Sequence, residues 1–405
     1  MRAMWVTGLA IAAAAATACG PTDELEPKLR EGSPDVLAEV LPRELFTPIK
    51  GDGQMLPANK TAAETTAQIK ADGYDPRDSY SSYQFTSAPG DVDYLPGEAD
   101  QTQALLVGWP GGASTHSTFF AQLLKAGASQ VKTTVVYVTS SSAYNQLLSA
   151  LYKVGADTSK MSFLQMDLDT IWMRDYGPLV TRTTSGGYRV IDMRYYYGRW
   201  DDDVVPTRLA KAWGVPVSRP PIDGEGGNFQ SDGAGRCITT DHILTQNKGY
   251  GYTSQDIRNI FKKYLGCQTT VILPSLYGEG TGHVDMYNTI TGPGEVLVGQ
   301  YSQYDDPQNA KVVDQGAAML KAAGFKVRRV PMPTNYDGNF RSYTNSLAIN
   351  NAVLVPVYSD DQRYESQALS VFQQAYPGRS IIPIDATKII TWAGAIHCVT
   401  MTIGN

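Results

Sequence analysis

From Ala104 onward, short apolar strand-like runs alternate with amphipathic helical stretches, and one kind of interruption keeps returning. Polar tripeptides break apolar surroundings at Asp175, Asn228, His283, Asn345 and Cys398, in steps of 53, 55, 62 and 53 residues. Each step holds roughly one helix and two or three strands, the size of a repeated supersecondary unit. Coincidence is the rival account, because successive steps share little sequence. The alternation itself makes the class α/β in the mixed sense.

Spacing and start signals place the elements. Apolar residues recur at helical intervals over 119–128 and 143–153. Thr253 and Asp256 form a capping box ahead of Ile257, Ile260, Phe261 and Leu265. Further helices are expected over 307–323 and 362–375, and strands over 104–107, 188–193, 270–273, 295–298, 353–357 and 396–400. Residues 20–97 are rich in Pro, Asp, Glu, Ser and Gly without an apolar period, which reads as an extended tether. The catalytic domain is then expected over 98–405.

Apolar residues make up 42% of the 405 and charged residues 18%, enough for a sizeable core. A net charge of −6 argues against nucleic acid, which needs basic patches, and suits a cationic substrate.

The first 19 residues read as an export signal. Arg2 precedes an apolar run from Val6 to Ala16, too short to span a bilayer, followed by Thr17-Ala18-Cys19. Cleavage before Cys19 would leave the lipidated cysteine of a bacterial lipoprotein. Ala16-Thr17-Ala18 also fits an ordinary small-residue cleavage site. The expected location is therefore exported, as an envelope lipoprotein or secreted, with membrane contact only through a lipid anchor. In such a compartment Cys237 and Cys267 could pair, or stay two buried thiols.

Cys398 is left, seven residues from the end. A buried free cysteine is more often a small hydrophobe than a nucleophile. An ordinary thiol is only a few per cent ionised at neutral pH, so a reactive one needs a nearby cation. Read as a strand, His397-Cys398 sends its two side chains to opposite faces, which argues against their pairing. The partner is then expected elsewhere, and His283 is the best candidate. In His283-Val284-Asp285, an extended backbone would put His283 and Asp285 on one face, although a lone H-x-D is more often structural. Trp172-Met173-Arg174-Asp175-Tyr176-Gly177-Pro178 sets a carboxylate between aromatic residues, which suits a planar cation or simply an ion-paired turn. Glu225-Gly226-Gly227-Asn228 is a turn where backbone can approach a ligand, or a hairpin bend.

Taken in order, WMRDYGP, EGGN, GHVD, YTNS and HCVT, after the opening strand TQALLVGWP, resemble the bacterial peptidylarginine and agmatine deiminases. The resemblance covers about residues 100–405, and YTNSLAINNAVLVPV is closer to the peptidylarginine branch. It implies a fivefold pseudosymmetric α/β propeller, pentein-like, with the site on the central axis. It implies that Cys398 attacks the guanidinium carbon while Asp175 and Asp285 hold its nitrogens. His283 would protonate departing ammonia and then activate water on the thiouronium. Asn345, Trp172 and Asn228 would line the site, and Arg199 would be the candidate grip for a peptide carboxylate, Arg194 being structural. No cofactor or metal is implied, and no acidic loop has calcium-ligand spacing.

The implied reaction converts peptidyl-arginine to peptidyl-citrulline and ammonia; the alternative substrate is agmatine, giving N-carbamoylputrescine. A papain-like protease is the nearest rival, but His283 precedes Cys398. An amidinotransferase would differ only in the acceptor. A silent binding lipoprotein is the remaining class, opposed by retention of all four reactive residues. A zinc site at His283 and Asp285 lacks a third ligand.

Overall fold

Five small sheets answer the recurrence in the sequence. The structure, a computed structural model, describes residues 56–61, 64, 85–110, 115–137, 141–196, 198–333 and 335–405. Among these residues every sheet repeats one pattern, an antiparallel pair, a hairpin in four of the five, whose second strand pairs in parallel with a strand reached through a helix. The hairpins are Leu179–Thr183 with Tyr188–Ile191, Gln230–Ser231 with Arg236–Thr240, Asn288–Gly292 with Glu295–Gln300, and Leu347–Ile349 with Ala352–Val357. Their parallel partners are Val217–Ser218, Thr269–Leu273, Lys326–Pro331 and Ser380–Asp385.

The fifth sheet closes the ring. The C-terminal strand Thr400–Gly404 pairs antiparallel with Thr102–Trp109, which pairs in parallel with Lys132–Tyr137 and so reaches Met161–Gln165. Joining the last strand to the first fixes the whole circle, because no unit can drift without breaking that ladder.

The crossover helices form where the apolar periods sit: α1 Ser117–Gln130, α2 Ser141–Lys153, α3 Val205–Trp213, α4 Ser254–Leu265, α5 Pro307–Ala322 and α6 Glu365–Ala375. The box before α4 is realised in both directions, Thr253 accepting from the Asp256 backbone and Asp256 from that of Thr253. Such a cap contributes about 1 kcal/mol. Helix α4 then buries Ile257, Phe261, Tyr264 and Leu265 and stops at Gly266, whose left-handed backbone (φ 74°) suits a residue without Cβ.

Three expectations change. Residues 396–399 are turn, and the strand starts at Thr400. The cause is Asn345, whose Oδ1 accepts from the N–H of Ala395, His397 and Cys398, donors a ladder would otherwise use. His283-Val284-Asp285 is not extended either; Val284–Met286 is a 3₁₀ turn entered from His283. The tether also ends earlier than expected, since Val92–Tyr94 pairs with Leu179–Thr183. Cys237 and Cys267 are joined as a disulfide. Residues 1–19 lie outside the described residues, and no helix among those described is long and apolar enough to cross a membrane.

Candidate active site

In each unit the turn just before the antiparallel pair carries one of the recurring polar residues, and the five turns meet. Asp175 precedes Leu179–Thr183, Asn228 precedes Gln230–Ser231, and His283 with Asp285 precedes Asn288–Gly292. Asn345 precedes Leu347–Ile349, and Cys398 precedes Thr400–Gly404. A recurrence in sequence thus becomes a ring of side chains in space, all buried.

The nucleophile candidate is held from two sides. Asn345 Nδ2 donates to Cys398 Sγ at 3.0 Å while its Oδ1 gathers the surrounding backbone. Cys398 Sγ lies 3.5 Å from Asp285 Oδ2. Trp172 forms a wall beside it: a Cβ on Gly394 would fall 2.4 Å from the Trp172 ring and 2.9 Å from Cys398 Cβ. Cys398 is the free cysteine among the described residues. Burial, together with Asp285 and Asp175, pushes its thiol well above the usual range, which favours the protonated form.

His283 sits between two carboxylates. Its Nδ1 is 3.6 Å from Asp175 Oδ1 and its Nε2 is 3.8 Å from Glu225 Oε2. Burial outweighs the opposing pull of the Glu225 and Asp285 carboxylates, lowers the imidazole pKa and keeps it neutral. Asp175 goes the other way, its pKa raised well above the usual value by burial and by repulsion from Asp285 and Glu225.

Among the described residues, both oxygens of Asp175, Oε2 of Glu225, both ring nitrogens of His283 and Oδ1 of Asp285 have no hydrogen-bond partner. So many buried polar atoms left open at one point are costly unless a ligand satisfies them. Three carboxyl groups around them suit a cation with several N–H donors.

The EGGN turn explains itself here. A Cβ on Gly227 would stand 2.5 Å from His283 Nδ1 and 2.6 Å from Asp175 Oδ1, and one on Gly226 would stand 2.2 Å from the Arg174 carbonyl. Gly227→Ala is therefore expected to drive His283 and Asp175 apart. We expect kcat/KM to fall by about a hundredfold or more, as for an ångström-scale misplacement. Steady-state kinetics with circular dichroism to verify folding checks this; near-normal kcat/KM would contradict it.

Several assignments are sharpened. Asn228 spends Oδ1 on the Thr240 and Val284 backbone N–H groups and the Thr240 hydroxyl, so it positions the His283–Asp285 turn, while its buried Nδ2 has no partner among the described residues. Arg199 is not free for a peptide carboxylate. It is fully buried, with Nε 2.7 Å and Nη2 3.1 Å from the two oxygens of Glu64, and it donates to the Tyr195 hydroxyl and to the Pro57 and Asn59 carbonyls. Arg194 pairs with Asp223, which agrees with a structural role.

Sequence reasoning missed three residues. Glu225, read only as part of a turn, faces His283 and accepts from Gln246 Nε2. His397, sent to the far face by the strand assumption, reaches Asp285 Oδ2 at 2.8 Å through Nδ1 and Glu98 Oε2 at 3.1 Å through Nε2. Burial and Arg174 oppose its charge, but hydrogen bonds to Asp285 and Glu98 prevail and raise its pKa. Glu98, at the supposed end of the tether, also faces Arg174 at 3.7 Å. The signal available for Glu225 was a carboxylate directly before two glycines.

A ring of five α/β units closing on a cysteine, a histidine and paired carboxylates defines the class of guanidino-group-modifying enzymes with the pentein fold. The sequence model for the Porphyromonas-type peptidyl-arginine deiminase matches residues 94–403, and the chain belongs to that family of C–N hydrolases. An agmatine deiminase of Stutzerimonas stutzeri is 26% identical over 364 residues, covering 78% of this chain and 96% of the relative. In fold the chain is similar to the agmatine deiminase of Enterococcus faecalis (TM-score 0.69, 21% identity, 78% of this chain and 97% of that one). It is likewise similar to an agmatine deiminase of C. jejuni with substrate bound (TM-score 0.69, 19% identity, 80% and 99% covered).

Proposed function

We propose that this chain hydrolyses the guanidinium of an arginine-like molecule to a ureido group and ammonia, through a covalent thiouronium on Cys398. The observation that carries the reading is the set of open polar atoms on Asp175, Glu225, His283 and Asp285 around one buried thiol. Asp175 and Asp285 take the guanidinium nitrogens, and the arriving cation lowers the pKa of the thiol it faces. The thiol proton leaves by way of Asp285 Oδ2, 3.5 Å from Sγ, and is taken up by neutral His283 as the sulfur bonds to the guanidinium carbon. The imidazolium returns the proton to the nitrogen that leaves as ammonia. Neutral His283 then takes a proton from water as its oxygen bonds to the same carbon; when the C–S bond breaks the imidazolium returns that proton to the sulfur, and the remaining hydroxyl proton is lost to solvent to leave the neutral ureido group.

The family description supports peptidyl-arginine as substrate. A second reading, a small guanidine such as agmatine, is favoured by Arg199, whose donors are already engaged by Glu64, Pro57 and Asn59. Assay of ammonia and ureido product on an internal-arginine peptide, a C-terminal-arginine peptide and agmatine decides between them. Absence of product from all three would end the deiminase reading.

The raised thiol pKa predicts a pH signature. A neutral alkylating agent should label Cys398 slowly at pH 7, accelerating up to about tenfold per pH unit as the thiolate fraction grows. A cationic haloacetamidine should react faster at pH 7 by bringing its own charge. A neutral-agent rate that is flat from about pH 6 to 9 would contradict a raised thiol pKa.

A further inference from the structure

Residues 56–61 and Glu64 lie ahead of the family-matched region, 94–403, yet they are fastened across the active-site end of the ring. Leu56 offers its carbonyl to Trp172 Nε1 at 2.9 Å, and Ala58 donates to the Trp392 carbonyl at 3.0 Å. Asn59 packs on Gly280, where a Cβ would meet it at 3.1 Å. Glu64 grips Arg199, and both of them, with Ala58, are fully buried. Thr61 and Glu64 exchange side-chain-to-backbone hydrogen bonds of 2.6 and 3.2 Å, which hold that carboxylate in place.

The anchors stand on both sides of the chemistry. Trp172 flanks Cys398, and Gly280 is three residues from His283, so the segment bridges nucleophile and base. Lys60, 5.7 Å from the Tyr196 ring centroid, brings a cation to this mouth. Burial lowers its pKa against the opposing pull of the Asp223, Glu225 and Glu64 carboxylates.

We propose that residues 56–61, latched by Glu64, are a specificity strap: docked, they limit the Cys398 site to a guanidinium on a short free chain, and displaced, they admit arginine within a polypeptide. The proposal rests on the deiminase reading. A peptide must bring backbone up on both sides of its arginine, past the chain seated on Trp172, Trp392 and Gly280, whereas a small guanidine enters with one slim chain. The Arg199–Glu64 pair makes a firm latch, because separating buried partners strands a charge.

Full-length protein is compared with Ala58→Asp, which forces a carboxylate into a buried strap position, and with Lys60→Glu, which replaces the cation by a negative charge in the field of Asp223, Glu225 and Glu64. The second position is only partly buried, so this variant keeps the test alive if the first fails to fold. Hydrogen exchange over the strap reports release. Expected are loss of protection there, peptide kcat/KM up about tenfold or more, and agmatine kcat/KM changed less than about threefold. An unchanged peptide-to-agmatine ratio in a released variant would overturn the strap, as would wild type using peptide as well as agmatine. Strap failure shows as Cys398 labelled by a haloacetamidine and agmatine turned over at an unaltered ratio. If no variant turns over either substrate and Cys398 stays unlabelled, the deiminase reading falls and the strap with it.

Discussion

Cys398→Ala is expected to abolish product formation, lowering kcat by about ten-thousandfold or more while leaving the fold intact. Losses of that size follow removal of a nucleophile that acts as a unit with its base. No substitute stands near: among the described residues Cys237 and Cys267 are consumed in a disulfide. The change removes one sulfur from a fully buried position, and Asn345 still holds the surrounding turn through Oδ1. Substrate should still bind, because the carboxylates that meet the guanidinium remain. Residual turnover near wild type would place the chemistry elsewhere.

Asp175→Asn should separate stability from activity. The folded-state pKa of Asp175 lies above its unfolded value, so folding binds a proton. Stability is then lost as pH climbs from the unfolded pKa through the folded one, since the unfolded chain binds fewer protons in that window. Near neutrality folding must either protonate this carboxyl or bury its charge, and the neutral amide carries neither cost. The variant should melt about 2 °C or more above wild type at pH 7.5, with the gap shrinking toward pH 4. Its kcat/KM should fall about a hundred- to ten-thousandfold, the cost of unpairing a buried charge. A lower Tm with retained activity would contradict both halves.

Much of this was legible in the order of residues alone. The steps between Asp175, Asn228, His283, Asn345 and Cys398 are the ring itself, because each unit repeats one antiparallel pair, one helix and one parallel strand. What misled was local geometry. Treating 396–400 as a strand put His397 on the wrong face, since nothing near Cys398 in sequence reveals that Asn345 captures those amides. Glu98 and Glu64 were hidden in and beside a segment whose composition reads as tether. Their roles depend on Arg174, His397 and Arg199, partners more than 75 residues away. Arg199 illustrates the limit: an arginine suited to a substrate carboxylate is equally suited to one from its own chain.

The covalent step is the centre of the account, and rapid acid quenching of wild type during turnover tests it most directly. Mass spectrometry of the peptide containing Cys398 should show a transient adduct equal to the substrate minus ammonia, on that sulfur, rising before ureido product and decaying with it. A burst of ammonia and product with Cys398 unmodified throughout would contradict the mechanism.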